Sequence, residues 1–81
     1  MNKLLNNLVD ALRRIYPEAK YVEADMPELE DDNIDLTDTL SLQVVSNDEF
    51  GIYLELPDGT FKTKYVRRKD LFTELANFDK P

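Results

Sequence analysis

Residues 50–67 read FGIYLELPDGTFKTKYVR and carry the alternation and the turn residues of a β-hairpin. Apolar side chains recur at every second position before the turn, at Phe50, Ile52, Leu54 and Leu56, as on a half-buried strand. The Asp-Gly pair at 58–59 is typical of a tight hairpin turn, because glycine supplies a positive φ without steric cost. The stretch therefore predicts strands over 50–56 and 61–67.

The register of this hairpin depends on which side chains the two strands place on each face. A register with Leu56 opposite Phe61 gives two chemically consistent faces. The resulting pairs are Leu54 with Thr63, Ile52 with Tyr65, Glu55 with Lys62, and Tyr53 with Lys64. A slip of one residue would turn Lys62 and Lys64 toward the apolar face, where unpaired charge is costly to bury. We therefore predict that both lysines point away from the core.

The remaining segments complete one small α+β domain that spans residues 1–81. Apolar residues at helical spacing predict a first helix over 3–16, with a stripe formed by Leu4, Leu5, Leu8, Leu12, Ile15 and Tyr16. Further elements are predicted as strands over 20–25 and 39–46 and a last amphipathic helix over 69–78. Ile34 and Leu36 continue the every-second-residue apolar pattern of the 39–46 strand, which is consistent with an early start of that strand. The expected architecture is a two-layer sandwich: a helix, a three- or four-stranded mainly antiparallel sheet, and a helix.

Two surfaces of this sheet are candidates for dimerisation. The turn at 47–49 must contain an odd number of residues if the apolar side chains of the two strands it joins are to lie on one face. Val45, Val66 and Tyr53 then share the outer face. A small apolar patch of this kind suits a dimer or a partner helix. The first strand is the second candidate, because an exposed edge can accept another strand.

The composition excludes most familiar catalytic chemistry. The 81 residues include no cysteine and no histidine, so disulfides, thiolate zinc sites and the commonest general base near neutral pH are missing. The sequence also contains no glycine-rich phosphate loop and no nucleophile motif. We therefore predict a protein that is not an enzyme and needs no cofactor. Because the chain has neither a signal-peptide pattern nor a bilayer-spanning segment, we expect it in the cytoplasm without a membrane partner.

The charge distribution points to a protein partner. The net charge is −7, and residues 23–38 contain eight acids and no base. Such a segment attracts a basic partner, accelerates their encounter and repels acidic competitors. We therefore predict a protein-interaction module, including an inhibitor of the kind that phages and mobile elements encode. Its predicted contact residues are Glu28, Glu30, Asp31, Asp32, Asp35 and Asp38.

A basic cluster over residues 62–69 favours a different function. This segment holds half of the ten basic residues, and an aromatic side chain lies beside it in the predicted hairpin. Bases next to an aromatic ring and a helix N-terminus are typical of anion or nucleic-acid binding. The candidate residues are Tyr53, Lys62, Lys64, Arg67, Arg68 and Lys69. The net negative charge weighs against this alternative, because nucleic acid would be repelled.

A divalent cation bound over residues 31–38 is the third alternative. Asp31, Asn33, Asp35 and Thr37 have the alternate-position oxygens of a calcium-binding loop. The pattern departs from an EF-hand at its sixth and twelfth positions, where Leu36 and Leu42 replace glycine and glutamate. An acidic connection in contact with solvent explains the same residues.

Overall fold

Among the residues that the structure describes, the sheet has five strands, each antiparallel to the next along the chain. A computed structural model describes residues 3–78. In chain order the elements are α1 (Lys3–Arg13), β1 (Lys20–Val22), β2 (Asn33–Asp35), β3 (Leu40–Val44), β4 (Glu49–Glu55), β5 (Phe61–Arg67), a 3-10 turn (Arg68–Asp70) and α2 (Leu71–Phe78). The strand order in space is the order in sequence, so the sheet is a meander with β1 and β5 at its edges. The α+β class is confirmed, whereas a count of three or four strands is too low.

The additional strand is β2, which the sequence pattern predicts as an early start of β3. Its central residue, Ile34, lies opposite Leu42 of β3, so the chain reverses between them. The reversal is held by the backbone N–H of Leu36, which donates to the Leu40 carbonyl at 2.9 Å. The Thr37 hydroxyl also accepts from the Leu40 N–H at 3.0 Å. A threonine that satisfies a nearby N–H in this way stabilises a turn, and the two short strands are separate for that reason.

Both helices pack on one face of the sheet, here called the covered face. Its core contains α1 residues Leu5, Leu8, Val9 and Leu12, sheet residues Ile34, Leu40, Leu42, Phe50, Ile52 and Val66, and α2 residues Leu71, Leu75 and Phe78. The predicted α1 stripe is partly wrong: α1 ends at Arg13, and Leu4 and Ile15 are exposed. Within residues 3–78 neither helix is long and apolar enough to cross a bilayer.

The β4–β5 register differs by one residue from the predicted one. Glu55 pairs with Phe61. The pairs whose side chains face the helices join Leu54 to Lys62 and Ile52 to Lys64. Leu56 belongs to the turn, where its N–H donates to the Thr60 carbonyl at 2.7 Å. The prediction that Lys62 and Lys64 point away from the core side of the sheet is therefore wrong.

The two lysines are tolerated on the covered face because β5 is an edge strand beside α2. The Lys64 Nζ lies 2.6 Å from a Glu74 carboxylate oxygen, and the Lys62 Nζ lies 4.6 Å from the centroid of the Phe78 ring. Both side chains remain exposed, since their long stems carry the charge to the rim of the helix layer. The expected burial penalty does not arise at this position.

Because the register differs by one residue, every β5 side chain lies on the face opposite to the predicted one. Val66 enters the core with 7% of its surface exposed, while Phe61 and Tyr65 turn to the opposite face. The β3–β4 hairpin keeps the predicted faces, but Val44 pairs with Phe50, whereas a three-residue turn over 47–49 would pair Ser46 with Phe50. An outer patch of Val45, Val66 and Tyr53 therefore does not form.

Candidate functional site

The sheet face opposite the helices, here called the open face, carries a row of exposed aromatic side chains. Alternation along the strands assigns to it Asn33, Asp35, Ser41, Gln43, Gly51, Tyr53, Glu55, Phe61, Thr63 and Tyr65. Phe61 is 58% exposed and Tyr65 is 53% exposed. Large side chains with so much accessible surface on a sheet face are a characteristic of binding surfaces.

Two tyrosines on this face are fixed by a shared polar network. The Tyr53 and Tyr65 hydroxyl oxygens are 2.9 Å apart, and each lies 3.1 Å from the Gln43 side-chain carbonyl oxygen. Since each hydroxyl has one proton, two of these three contacts are hydrogen bonds at any one time. The Gln43 amide nitrogen donates to an Asp31 carboxylate oxygen at 2.8 Å, which sets the orientation of the amide. The hydrogen bond with Tyr65, together with burial, raises the pKa of Tyr53.

Gly51 makes room for the tyrosine rings. It pairs with Tyr65 on one side and Gln43 on the other, directly beneath the network. A Cβ atom at Gly51 would lie 2.8 Å from Tyr65 Cε1 and 3.1 Å from Tyr53 Cε1. The rings meet edge to face, with centroids 6.5 Å apart and an interplanar angle of 86°. Glycine at this position therefore allows the rings to close over the strand.

Carboxylates frame the aromatic row on both sides of Phe61. A hollow of about 530 Å³ lies between the sheet and the loop of residues 23–32, here called the acidic loop. Its lining includes Glu28, Glu30 and Asp31 together with Leu29, which is 77% exposed. A second hollow of about 390 Å³ has Glu18, Asp35, Asp38 and Glu55 in its lining. Phe61 and Ser41 border both hollows, and Lys20 is the one basic residue in either lining. The open face therefore combines accessible rings with a strong excess of negative charge.

Five of the six predicted acidic contact residues lie around this face. Asp32 instead contacts Tyr21 of β1 and Ala24. Its carboxylate accepts the Tyr21 hydroxyl at 2.5 Å and the Ala24 backbone N–H at 2.8 Å. These two hydrogen bonds lower the pKa of Asp32. Burial and the bond to Asp32 raise the pKa of Tyr21 to about 12. Asp32 thus connects the acidic loop to β1.

The six residues of the basic alternative do not share one surface. Tyr53 belongs to the open face, whereas Lys62 and Lys64 lie on the covered side next to α2. Arg67 pairs with Asp48 at 2.8 Å, and this contact raises its pKa. The Arg68 guanidinium donates to the Leu4 carbonyl at 3.0 Å, which connects the 3-10 turn to α1. Lys69 is exposed.

Residues 31–38 include strand β2 and the turn that follows it. Asn33 and Asp35 alternate with the buried Ile34 in β2. Among residues 3–78, no group of three or more carboxylates is arranged to hold a metal ion. Strand alternation therefore explains the positions of Asn33 and Asp35.

Sequence reasoning missed several residues of the open face, above all Phe61, Tyr65 and Gln43. The incorrect register placed Phe61 and Tyr65 on the core side. Phe61, Thr63 and Tyr65 occur at every second position of the sequence, which places them on one face of a strand. This spacing does not determine which face of the sheet that is.

The chain matches no protein family, and neither a characterised protein nor a solved structure is detectably similar to it.

Proposed function

We propose that this chain is a non-catalytic protein-interaction module whose open face binds a basic segment of a protein partner. The observation that supports this most strongly is the position of Phe61, an exposed ring between two carboxylate-lined hollows. In this role the protein acts as an inhibitor or an accessory factor, since it occupies a basic surface of another protein without altering it chemically.

The side-chain chemistry of the open face fits arginine better than other residues. A guanidinium stacks on an aromatic ring and at the same time donates paired hydrogen bonds to a carboxylate. Each hollow offers both partners, because Phe61 borders each and acidic side chains line each. An acidic or nucleic-acid ligand would meet the same carboxylates and be repelled.

The polar network prepares the surface for binding. Gln43, Tyr53 and Tyr65 are held to one another before any ligand arrives, and Asp31 fixes the amide at one end. Binding to side chains that are already ordered loses less conformational entropy. This arrangement favours contact by preformed rings over folding of a loop around the partner.

The test uses a charge-matched pair of variants. Asp35→Lys changes the open face, whereas Asp10→Lys changes an exposed acid on α1 by the same two units of charge. We expect a nine-residue peptide of alternating arginine and serine to bind the wild-type chain and Asp10→Lys with similar affinity. Binding to Asp35→Lys should be about tenfold weaker, since a reversed charge in contact with the ligand changes the binding free energy by about 1.4 kcal/mol.

Two further measurements decide the interpretation. Phe61→Ser should weaken arginine-peptide binding without changing the net charge, because it removes the stacking ring. Proteins captured from the native host should be retained by Asp10→Lys and lost by Asp35→Lys. Equal weakening by the two lysine variants would mean that the peptide responds to net charge, and the open face would then have no specific role.

A further inference from the structure

The two edges of the sheet differ greatly in length and exposure. β1 has three residues, and the Asp32 carboxylate ties its Tyr21 and the following Ala24 to the loop. β5 has seven residues, and the first five are all exposed. A long exposed edge is a template for another strand unless the protein protects it.

The hydrogen-bonding direction of β5 follows from its two ends. The Arg68 N–H donates to the Asp48 carbonyl at 2.7 Å, and the Leu56 N–H donates to the Thr60 carbonyl at 2.7 Å. In an antiparallel ladder such bonded pairs recur at every second residue, so the even-numbered residues of β5 bond to β4. The odd-numbered residues Phe61, Thr63 and Tyr65 therefore direct their N–H and C=O groups away from the sheet.

The charges that commonly protect an edge are drawn away from this one. Lys62 lies over the Phe78 ring, and Lys64 is bound to Glu74 of α2. Arg67 is bound to Asp48 in the β3–β4 connection. These contacts hold the three bases beside the sheet and leave the backbone groups of Thr63 and Tyr65 accessible.

The charge of this segment identifies the kind of strand that fits. Residues 61–70 include five bases and one acid. Within the described part of the chain, Lys64 and Arg67 are the two of these bases that form ion pairs. A second copy would bring β5 lysines together and would join two chains of net charge −7. An acidic strand would instead place its carboxylates beside Lys62 and Lys64.

A groove between β5 and α2 leaves space for such side chains. Its volume is about 250 Å³, and it is lined by Lys62, Thr63, Lys64, Glu74, Asn77 and Phe78. We infer that the β5 edge is a strand-addition site for an extended acidic segment of another protein, whose backbone pairs with Phe61, Thr63 and Tyr65. This site uses the backbone groups of the β5 edge, whereas the open-face site uses side chains, so it does not depend on the function proposed for the open face.

Hydrogen exchange of the labelled full chain tests the inference directly. The probe is an acetylated and amidated seven-residue peptide, Thr-Glu-Val-Glu-Val-Glu-Thr. We expect it to slow exchange of the Thr63 and Tyr65 amides at least tenfold, because these become hydrogen-bonded. The amides of Lys62 and Lys64 should slow less, since β4 already protects them. A peptide with lysine in place of glutamate should give no protection.

A pair of variants separates the backbone contact from the side chain. Thr63→Ala keeps the outward N–H and should bind the acidic peptide as the wild type does. Thr63→Pro removes that donor without removing a bond to β4, and it should abolish binding. If Thr63→Pro does not fold, the exchange pattern of the wild-type chain decides alone.

Three results would overturn the inference. The first is no protection of Thr63 and Tyr65 at saturating peptide, and the second is equal protection by the lysine peptide. The third is protection of the same amides that rises with protein concentration in the absence of peptide, which would identify a second copy as the occupant. Asp35→Lys should leave this binding unchanged, so its outcome is independent of the open-face experiment.

Discussion

Two phenylalanines on opposite faces of the sheet differ sharply in exposure, and the difference separates the stabilising core from the candidate binding face. Phe50 lies on the covered face with none of its surface exposed, whereas Phe61 lies on the open face and is 58% exposed. The strands that carry them pair directly, so the same backbone supports both. The covered face gains free energy by excluding water between sheet and helices. The open face instead keeps the Phe61 and Tyr65 rings accessible, and hydrogen bonds hold Tyr65 in place.

The largest expected effect comes from truncating each of these rings in turn. Phe50→Ala should reduce the free energy of unfolding by about 3–5 kcal/mol, because it removes a buried ring and leaves a cavity. Phe61→Ala should change it by less than about 1 kcal/mol, since exposed side chains contribute little to stability. Chemical denaturation measured at one pH and temperature gives both values.

The difference between the two variants is the quantity that matters. A domain of this size has little stability to lose, so Phe50→Ala can unfold completely. In that case Phe50→Leu, which removes less volume, provides the measurement. Comparable losses for Phe61→Ala and Phe50→Ala would show that the open face is part of the stabilising core and would remove the basis for separating the two roles.

The next effect concerns the position where the open face approaches the backbone most closely. Gly51→Ala should destabilise the chain by about 1 kcal/mol, because the new methyl group overlaps the Tyr65 ring and forces it outward. The displaced ring would also lose its hydrogen bond to Tyr53, so the near-ultraviolet circular dichroism of the tyrosines should weaken. Asp35→Ala, on the same face but two strands away from Tyr53, serves as the control. An unchanged tyrosine signal in Gly51→Ala would mean that the rings are not held by the close fit.

These two faces also show what sequence reasoning can and cannot resolve. Period-two alternation was enough to predict β4 and β5, and it placed Phe50, Ile52 and Leu54 on the covered face. It did not determine the register, since Leu56 continues the apolar pattern of β4 yet belongs to the turn. The predicted cost of burying Lys62 and Lys64 assumes a sheet face covered along its whole width. At an edge strand beside a short helix that assumption fails.

The candidate site was predictable in charge but not in geometry. The acids of residues 23–38 were evident from composition, and Glu28, Glu30 and Asp31 do lie beside the open face. Asp32 looks the same in sequence but is engaged with Tyr21, eleven positions away in the chain. The aromatic part of the surface depends on the β4–β5 register, which local patterns did not specify. Contacts between distant segments therefore decide which of several similar residues are available to a partner.

The smallest expected effect is the pH dependence of the contact between Asp32 and Tyr21, at the β1 edge of the sheet. Folding lowers the pKa of Asp32, so its contribution to stability is complete above about pH 4 and is lost as the pH falls through the lowered value. Folding raises the pKa of Tyr21 to about 12, so the neutral phenol contributes fully below about pH 10 and its contribution is lost between pH 10 and 12.

Asp32→Asn tests the acidic limb of this dependence. It should reduce the free energy of unfolding by about 1 kcal/mol at neutral pH, because the Tyr21 hydroxyl and the Ala24 N–H lose a charged acceptor. The difference from the wild type should be constant between pH 5 and 8 and should shrink toward zero below pH 4. Asp25→Asn, an exposed acid in the same loop, controls for the change in net charge. If the two variants gave the same pH profile, the acidic loop would be held to β1 by something other than this carboxylate.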